Sequence, residues 1–541
     1  MKERESSPEQ PVVFVQYLLL AFVLAVVVYV RIRLLSVPLE RDEGEFAYMG
    51  QLLLKGIPPF TDAYTMKLPG VSFAYAIFML LFGQTAAAIR IGLLIVNGIC
   101  IFQVYLLTKR LFDRNSALVS CASYAALSLS ESVLGFCAHA THFVVLFALA
   151  GFLLLLRSLD RGKISLLLIS GLCLGLAFTM KQHAALFIIF AFLFLAWRNW
   201  KNLVFGRKRL VAGNFLFLLG IIIPYALLAL WMAQTGVFDT FWFWTVQYAR
   251  EYATGPTLLQ GVDTFTHAIH NIAIAQPLLW LLAVSGGVLL CTKHNRSSDR
   301  SFVFGFLLFS FLAICPGLVF RRHYFVMLLP AVSVLIGAAV NSARFVHASS
   351  PPQAYRQFIA FFVLAAAISF GFFHERQYLF TYTPQQVSRA TYGTNPFPEA
   401  PQIARYLKDH TAPGDRIAVL GSEPEILFYA GRLSATGYIY MYGLMENQPY
   451  AEQMQMQMIR EIERSRPKYV VVVNVGVSWL VRSSSKRTVF DWGEKYLRNL
   501  YDLVGMIDII APYPTRYLWG REAKAYKPVS DSYLTVFNRK E

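Results

Sequence analysis

Charge is scarce in this sequence. Asp, Glu, Lys and Arg make up 15% of its 541 residues, against 56% hydrophobic, and the mean hydropathy is +0.47. A soluble domain carries about 25% charged residues, so this composition excludes an ordinary soluble protein and indicates a polytopic membrane protein. Cysteine is also sparse. Cys100, Cys121, Cys137, Cys173, Cys291 and Cys315 all fall within or at the edge of apolar runs, and the polar C-terminal third has none. None is paired at metal-ligand spacing, which leaves them as small core residues. A dinucleotide fingerprint is missing too, since "VLGSEPE" offers one glycine after a strand and no GxGxxG. So is any basic, aromatic-interleaved patch of the kind that binds nucleic acid. The net charge of +17 is therefore read as a topology signal, because the cations lie mostly between apolar runs.

Those runs are abundant. A helix of about 17–25 apolar residues crosses the hydrocarbon of a bilayer. Spans are expected near 12–34, 86–108, 115–134, 141–157, 164–180, 183–197, 213–233, 276–291, 302–318, 324–341 and 357–373. The fold class is thus a polytopic α-helical membrane protein of about eleven transmembrane helices with a C-terminal soluble α/β domain. The first run is too long for a signal peptide and lacks a small-residue cleavage site, so an uncleaved span is expected. Leu68–Phe82 is short and is read as a helix at the membrane interface.

With residues 1–11 cytoplasmic, the basic loops fall inside: Lys109 to Arg114, Arg157 to Lys163, Arg198 to Arg209, Lys293 to Arg300 and Arg344 to Arg356. The same count puts five parts outside: the first loop, 35–85; the links near 135–142, 234–275 and 319–323; and everything from 374 to 541. Residues 12–373 then form the membrane domain. From about Glu399 the chain alternates helix and strand, with "RIAVL" and "YVVVVN" as buried strands, so a small sheet with parallel pairing is expected. This domain is read as a cap or acceptor-recognition module.

Against so little charge, "PLERDEGEFAY" stands out. Asp42, Glu43 and Glu45 crowd just beyond the first span, followed by an amphipathic segment suited to the membrane surface and a proline-bracketed turn carrying Lys67. A solvated rim would explain acidic residues there. A carboxylate partly withdrawn from water, however, gains the basicity a general base needs. Other polar residues expected on the outer face are Lys181, Gln182 and His183 at a span end, and Arg321, Arg322 and His323 in a short link. Snorkelling accounts for a lone lysine, and headgroup anchoring for an arginine pair; both also suit a lipid phosphate. His139 and His142 stand three apart with no third ligand nearby in sequence, which argues against a metal site. The run "FDTFWFWTVQYAREY" resembles an interfacial aromatic belt.

"DEGEFAYMGQLLLKGIPPFTDAYTMKLPG" resembles the first outer loop of the protein O-mannosyltransferase and lipid A aminoarabinose transferase group, glycosyltransferase family 39 and relatives within the GT-C superfamily. The resemblance continues through "HATHFVVLFALAGFLLLLRSL", "GLCLGLAFTMKQHA" and "RRHYFVMLLPAVSVL", covering about residues 12–345. It implies transfer of a sugar from a polyprenyl-phosphate donor to an acceptor hydroxyl on the outer face, with inversion. Asp42 matches the catalytic aspartate, Glu43 the acid that follows it, and Lys67 the lysine that meets the donor phosphate. Arg321, Arg322, His323 and Lys181 are further donor-phosphate candidates. Glu45, Tyr64, His142, Gln182 and His183 are candidate acceptor or sugar contacts.

Two departures stand out. Leu68-Pro69 replaces the family's Pro-Pro, and Thr141-His142 occupies the place where the family often has a second aspartate. A second carboxylate would then come from Glu43, Glu45 or Asp62. Some GT-C enzymes use a divalent metal with clustered acids; this group generally does not, so no cofactor is expected. Expected partners are the polyprenyl-phosphate sugar, membrane lipid, and a glycolipid, glycan or protein acceptor. A bacterial inner membrane, with the site on the periplasmic or extracellular side, is the expected location. The competing class, a transporter or flippase of lipid-linked sugars, would show internal repeats and deep ionisable residues, and no clear repeat is found.

Overall fold

The computed structural model describes residues 9–202, 206–253, 255–291, 297–343, 353–511 and 514–541. Of the expected inner basic loops, Lys293 and Arg344 lie outside the described residues. The chain divides into two compact units. One gathers Met1–Leu34, Arg90–Ala229 and Ala253–Thr381; the other gathers Leu35–Ile89, Leu230–Tyr252 and Tyr382–Glu541.

The protein is helix-rich and multi-pass. Among the described residues, five helices are long and apolar enough to cross a membrane: Gln16–Arg33, Ala86–Leu111, Ala140–Arg161, Gln182–Trp200 and Leu210–Gln234. A sixth span arises if Leu258–Ala275 and Pro277–Leu290, bent by 104°, count as one. Helices occupy the other expected positions, but several are short. The expected span at 115–134 is an α-helix over Arg114–Leu127, ended by Ser128 and followed by the 3-10 turn Glu131–Val133.

In the first unit, the core is aromatic: Phe152 packs edge-on against Phe187, Phe190, Phe302 and Phe306, with ring centroids 5.3–5.9 Å apart. Loops expected on one face of the membrane do meet. Arg110 pairs with Asp160 at 2.7 Å and with Asp299 at 2.6 Å, joining three expected inner loops. At the other end of the helices, Arg322 pairs with Glu131 at 2.5 Å, and Ser130 donates to Glu375 at 2.7 Å. That second cluster ties the expected outer link near 319–323 and the segment after His374 to Ser130 and Glu131, which fell within the expected span 115–134 but lie beyond the end of its helix.

The second unit is built on a six-stranded mixed sheet: β1 Arg416–Leu420, β2 Leu433–Ser434, β3 Tyr469–Asn474, β4 Tyr501–Asp508, β5 Arg516–Trp519 and β6 Tyr533–Arg539. The order is β2-β1-β3-β6-β4-β5. Pairing is parallel at β1–β2 and β1–β3, as expected, and antiparallel from β3 onward. The two strands legible from their apolar runs are the central β1 and β3. The antiparallel half is more polar and alternating, which weakens its signal.

Helix Arg41–Leu54 belongs to this unit. The segment read as amphipathic is a helix, buried from Glu43 through Leu52 and covered by helices Gly70–Phe82 and Pro424–Ala430. Glycine permits that approach. A Cβ at Gly44 would lie 2.6 Å from the Glu425 backbone nitrogen, and one at Gly50 would lie 3.1 Å from the Ser72 carbonyl oxygen. Gly44→Val should therefore force the helices apart and destabilise the purified protein by about 1–3 kcal/mol, read as a lower thermal unfolding midpoint.

Candidate functional site

The site begins at the N-terminus of the Arg41–Leu54 helix. Glu40 is the N-cap, and its carboxylate accepts from the Glu43 backbone N–H at 2.9 Å. The Glu43 carboxylate reaches back to the Glu40 backbone N–H at 3.4 Å, closing a capping box. Glu43, expected beside Asp42 as the second acid, is thus turned into the helix terminus and fully buried. Helix periodicity is the reason. Asp42 and Glu45 are three residues apart and share a face, whereas Glu43 is rotated by about 100° from Asp42.

On the shared face, Lys67 bridges the two carboxylates. Its Nζ donates to Asp42 at 2.7 Å and to Glu45 at 2.5 Å. The lysine stands on a turn braced by its own backbone N–H, which donates to the Thr65 hydroxyl at 3.1 Å. Its ammonium also lies 4.8 Å from the centroid of Phe46 and 5.1 Å from that of Tyr440. The carboxylates differ in access: the Asp42 side chain is 20% exposed and that of Glu45 is 1% exposed. Burial pushes Glu45 above the usual carboxylate range, with Lys67 partly offsetting it. Burial acts to lower the Lys67 ammonium, but Asp42 and Glu45 outweigh it and hold the lysine charged. The result is a fixed cation with one buried anchor, Glu45, and one accessible carboxylate, Asp42.

Tyr440 donates its hydroxyl to Asp42 at 3.2 Å. Arg41, next to Asp42, donates to the Ser422 carbonyl, to Tyr442 at 2.7 Å, to Asn395 at 2.9 Å and to Glu423 at 2.6 Å. Sequence reading missed both Arg41 and Tyr440. The alternating tyrosines of "GYIYMY" were the available signal, but nothing in them links residue 440 to residue 42.

The remaining predicted residues have definite places. Tyr64 donates to Glu461 at 2.9 Å and stacks on Trp244 with ring centroids 5.8 Å apart, so its hydroxyl serves the packing of this unit. Trp244 lies in the segment expected to be an interfacial belt, yet it is buried. Asp62 pairs with Arg416 at 3.3 Å. Of the three alternatives for a second carboxylate, Glu45 is the one that joins Asp42 and Lys67 within this unit.

In the first unit, Tyr324 collects three of the predicted residues. Lys181 lies 4.2 Å over its ring centroid, and His183 and His323 meet the ring edge-on at 4.8 and 4.9 Å. His183 is further held to the Ala313 carbonyl oxygen at 2.7 Å, and His139 stacks on His323 at 3.9 Å. Gln182 begins the 3-10 turn Gln182–Ala184 beside them. Arg322 has the acidic neighbour that its own segment lacks, Glu131, and also donates to the Ser132 carbonyl at 3.1 Å. Arg321 is exposed. His142 is buried, and neither ring nitrogen has a hydrogen-bond partner among the described residues.

The resemblance read from the sequence is borne out by comparison with known proteins. Residues 66–228 match the family model of dolichyl-phosphate-mannose-protein mannosyltransferases. No curated protein matches the chain by sequence. The fold is similar to that of ArnT from Cupriavidus metallidurans, solved bound to undecaprenyl phosphate, with a TM-score of 0.61 at 12% identity over 96% of this chain and 97% of that one. It is also similar to the Archaeoglobus fulgidus oligosaccharyltransferase in the apo form, with a TM-score of 0.55 at 14% identity over 94% of this chain and 74% of that one. The oligosaccharyltransferase AglB from Archaeoglobus fulgidus, solved with an inhibitory peptide and a dolichol-phosphate, gives a TM-score of 0.53 at 14% identity over 94% of this chain and 74% of that one. The fold is therefore similar to those of ArnT and the archaeal oligosaccharyltransferase.

Proposed function

We propose that this protein transfers a sugar from a polyprenyl-phosphate donor to an acceptor hydroxyl on the outer face of the membrane, with inversion. The observation that carries the reading is the Asp42–Lys67 pair at 2.7 Å, with Asp42 the accessible member of its cluster. It is supported by a fold similar to that of a protein solved with undecaprenyl phosphate. In this reading Asp42 takes the acceptor's proton and the freed oxygen bonds to the anomeric carbon. The bond from that carbon to the phosphate oxygen breaks, and its electron pair leaves on the polyprenyl phosphate. Lys67 is the first candidate to neutralise the leaving phosphate, and Lys181, Arg321, Arg322 and His323 are the others. Glu45 keeps Lys67 placed while Asp42 changes protonation. Gln182, His183, His142 and Tyr64 stay as candidates for the sugar or acceptor, Tyr64 the weakest because its hydroxyl already serves Glu461.

The scheme is written without a metal, with Lys67 as the cation beside Asp42. About eleven crossings with residues 1–11 inside would place the first loop and the C-terminal domain on the periplasmic side of a bacterial inner membrane.

The test compares envelope lipids and glycans, by mass spectrometry, from cells with and without the protein. It is paired with in vitro transfer using the lipid-linked sugars extracted from those cells. The expected result is one glycosylated species that depends on the protein and is remade in vitro. Identical profiles together with no transfer would overturn the reading.

A further inference from the structure

The C-terminal part of the chain was expected to act as a cap or acceptor module beside the site, but the second unit contains a closer connection. Tyr440 lies 398 residues from Asp42 in the chain and touches both members of the candidate pair: its hydroxyl reaches Asp42 at 3.2 Å, and its ring faces the Lys67 ammonium at 5.1 Å. The two residues that follow it are pinned. The Met441 backbone N–H donates to the Ser422 hydroxyl at 2.8 Å, and the Tyr442 hydroxyl accepts from Arg41 at 2.7 Å. Tyr442 in turn donates to the Val477 carbonyl at 2.7 Å. Arg41 and Asp42 are adjacent in one helical turn, so the tyrosine segment grips that turn at two successive residues.

From this geometry we infer that the C-terminal α/β domain completes the active site, with Tyr440 as a positioning residue that orients the Asp42 carboxylate toward the acceptor hydroxyl. This rests on the proposed role of Asp42 as base. An Asp side chain turns about two bonds, and the interaction with Lys67 alone leaves rotation about that contact. A second hydrogen bond to the same oxygen, Oδ1, from a different direction limits that rotation and fixes the orientation of the carboxylate. Burial, with the Asp42 charge beside it, pushes the Tyr440 phenol well above its ordinary range, so it remains a donor. The Tyr440 ring against Lys67 keeps water from the far side of the ammonium.

The test uses full-length protein, with transfer from extracted lipid-linked sugars as the activity and undecaprenyl phosphate as the binding probe. Tyr440→Phe keeps the ring and removes the hydroxyl. It should lower kcat about tenfold, the worth of one hydrogen bond to a charged group. KM for the lipid-linked sugars, affinity for undecaprenyl phosphate, and the thermal midpoint should stay at wild-type values. Tyr440→Ala, which also loses the ring, should in addition weaken undecaprenyl phosphate binding. Tyr526→Phe, which removes a hydrogen bond to Asp508 elsewhere in the same domain, should leave kcat unchanged. A Tyr440→Phe variant with wild-type kcat would overturn the inference, as would one that loses kcat and thermal stability together. If Tyr440→Phe is unaffected while Asp42→Asn is inactive, this inference fails and the general-base reading stands; an active Asp42→Asn removes that reading itself.

Discussion

Asp42→Asn should reduce sugar transfer by about a thousandfold while the protein still inserts and folds, since a positioned general base contributes on that order. The substitution is nearly isosteric. An Asn side chain can still accept hydrogen bonds from Lys67 and Tyr440, but it cannot take a proton. Lys67 remains anchored by Glu45 at 2.5 Å, so the turn that carries it should not move. The contrast with Glu45 sharpens the expectation. Glu45 is 1% exposed and held above its ordinary range by burial, so an acceptor hydroxyl cannot reach it. Glu45→Gln should therefore act through Lys67 placement and show as weaker undecaprenyl phosphate binding. Transfer kinetics in membranes matched for protein level provide the check. Full activity in Asp42→Asn would remove Asp42 as the base.

The second large effect is structural. Arg41→Met should destabilise the second unit by about 3–5 kcal/mol, because it leaves Glu423 buried without its counter-charge. The Glu423 side chain has no exposed surface, and that of Arg41 is 9% exposed. The same arginine satisfies the Ser422 carbonyl, Tyr442 and Asn395, so its loss also releases the first turn of the helix that carries Asp42. Burial beside Glu423 already pushes Glu425 well above the carboxylate range. The Arg41→Met, Glu423→Gln double variant should recover part of the loss, since it removes the stranded charge. Arg41→Lys should not restore wild-type stability, because one ammonium cannot cover four acceptors fixed in a fork. Thermal unfolding in detergent and accumulation in membranes distinguish these outcomes.

Much of this organisation was legible in the residue order. Low charge, long apolar runs and the alternation of basic and non-basic loops identified a multi-pass protein. Three loops grouped by that rule do meet in space, at Arg110, Asp160 and Asp299. Lys67 was read as a functional lysine near Asp42, and the two are in contact. What misled was treating adjacency in sequence as adjacency in space. Glu43 follows Asp42 directly, yet it points into the capping box, while Glu45 shares Asp42's face. Arg322 has no acid near it in sequence but pairs with Glu131.

By itself, then, the sequence determined what hydropathy and local periodicity control: which segments are apolar enough for the membrane, where the charged loop begins, and where β1 and β3 run. The tertiary structure decided which groups share an environment. It selected Glu45 over Glu43 and Asp62 as the partner of Lys67, and it buried the Arg41–Leu54 helix under the C-terminal domain by way of Gly44. It also brought Tyr440 to Asp42. The physical reason is range. Helix and strand patterns arise from neighbours a few residues apart, but a buried charge takes whichever partner packing brings within about 3 Å, however distant in the chain.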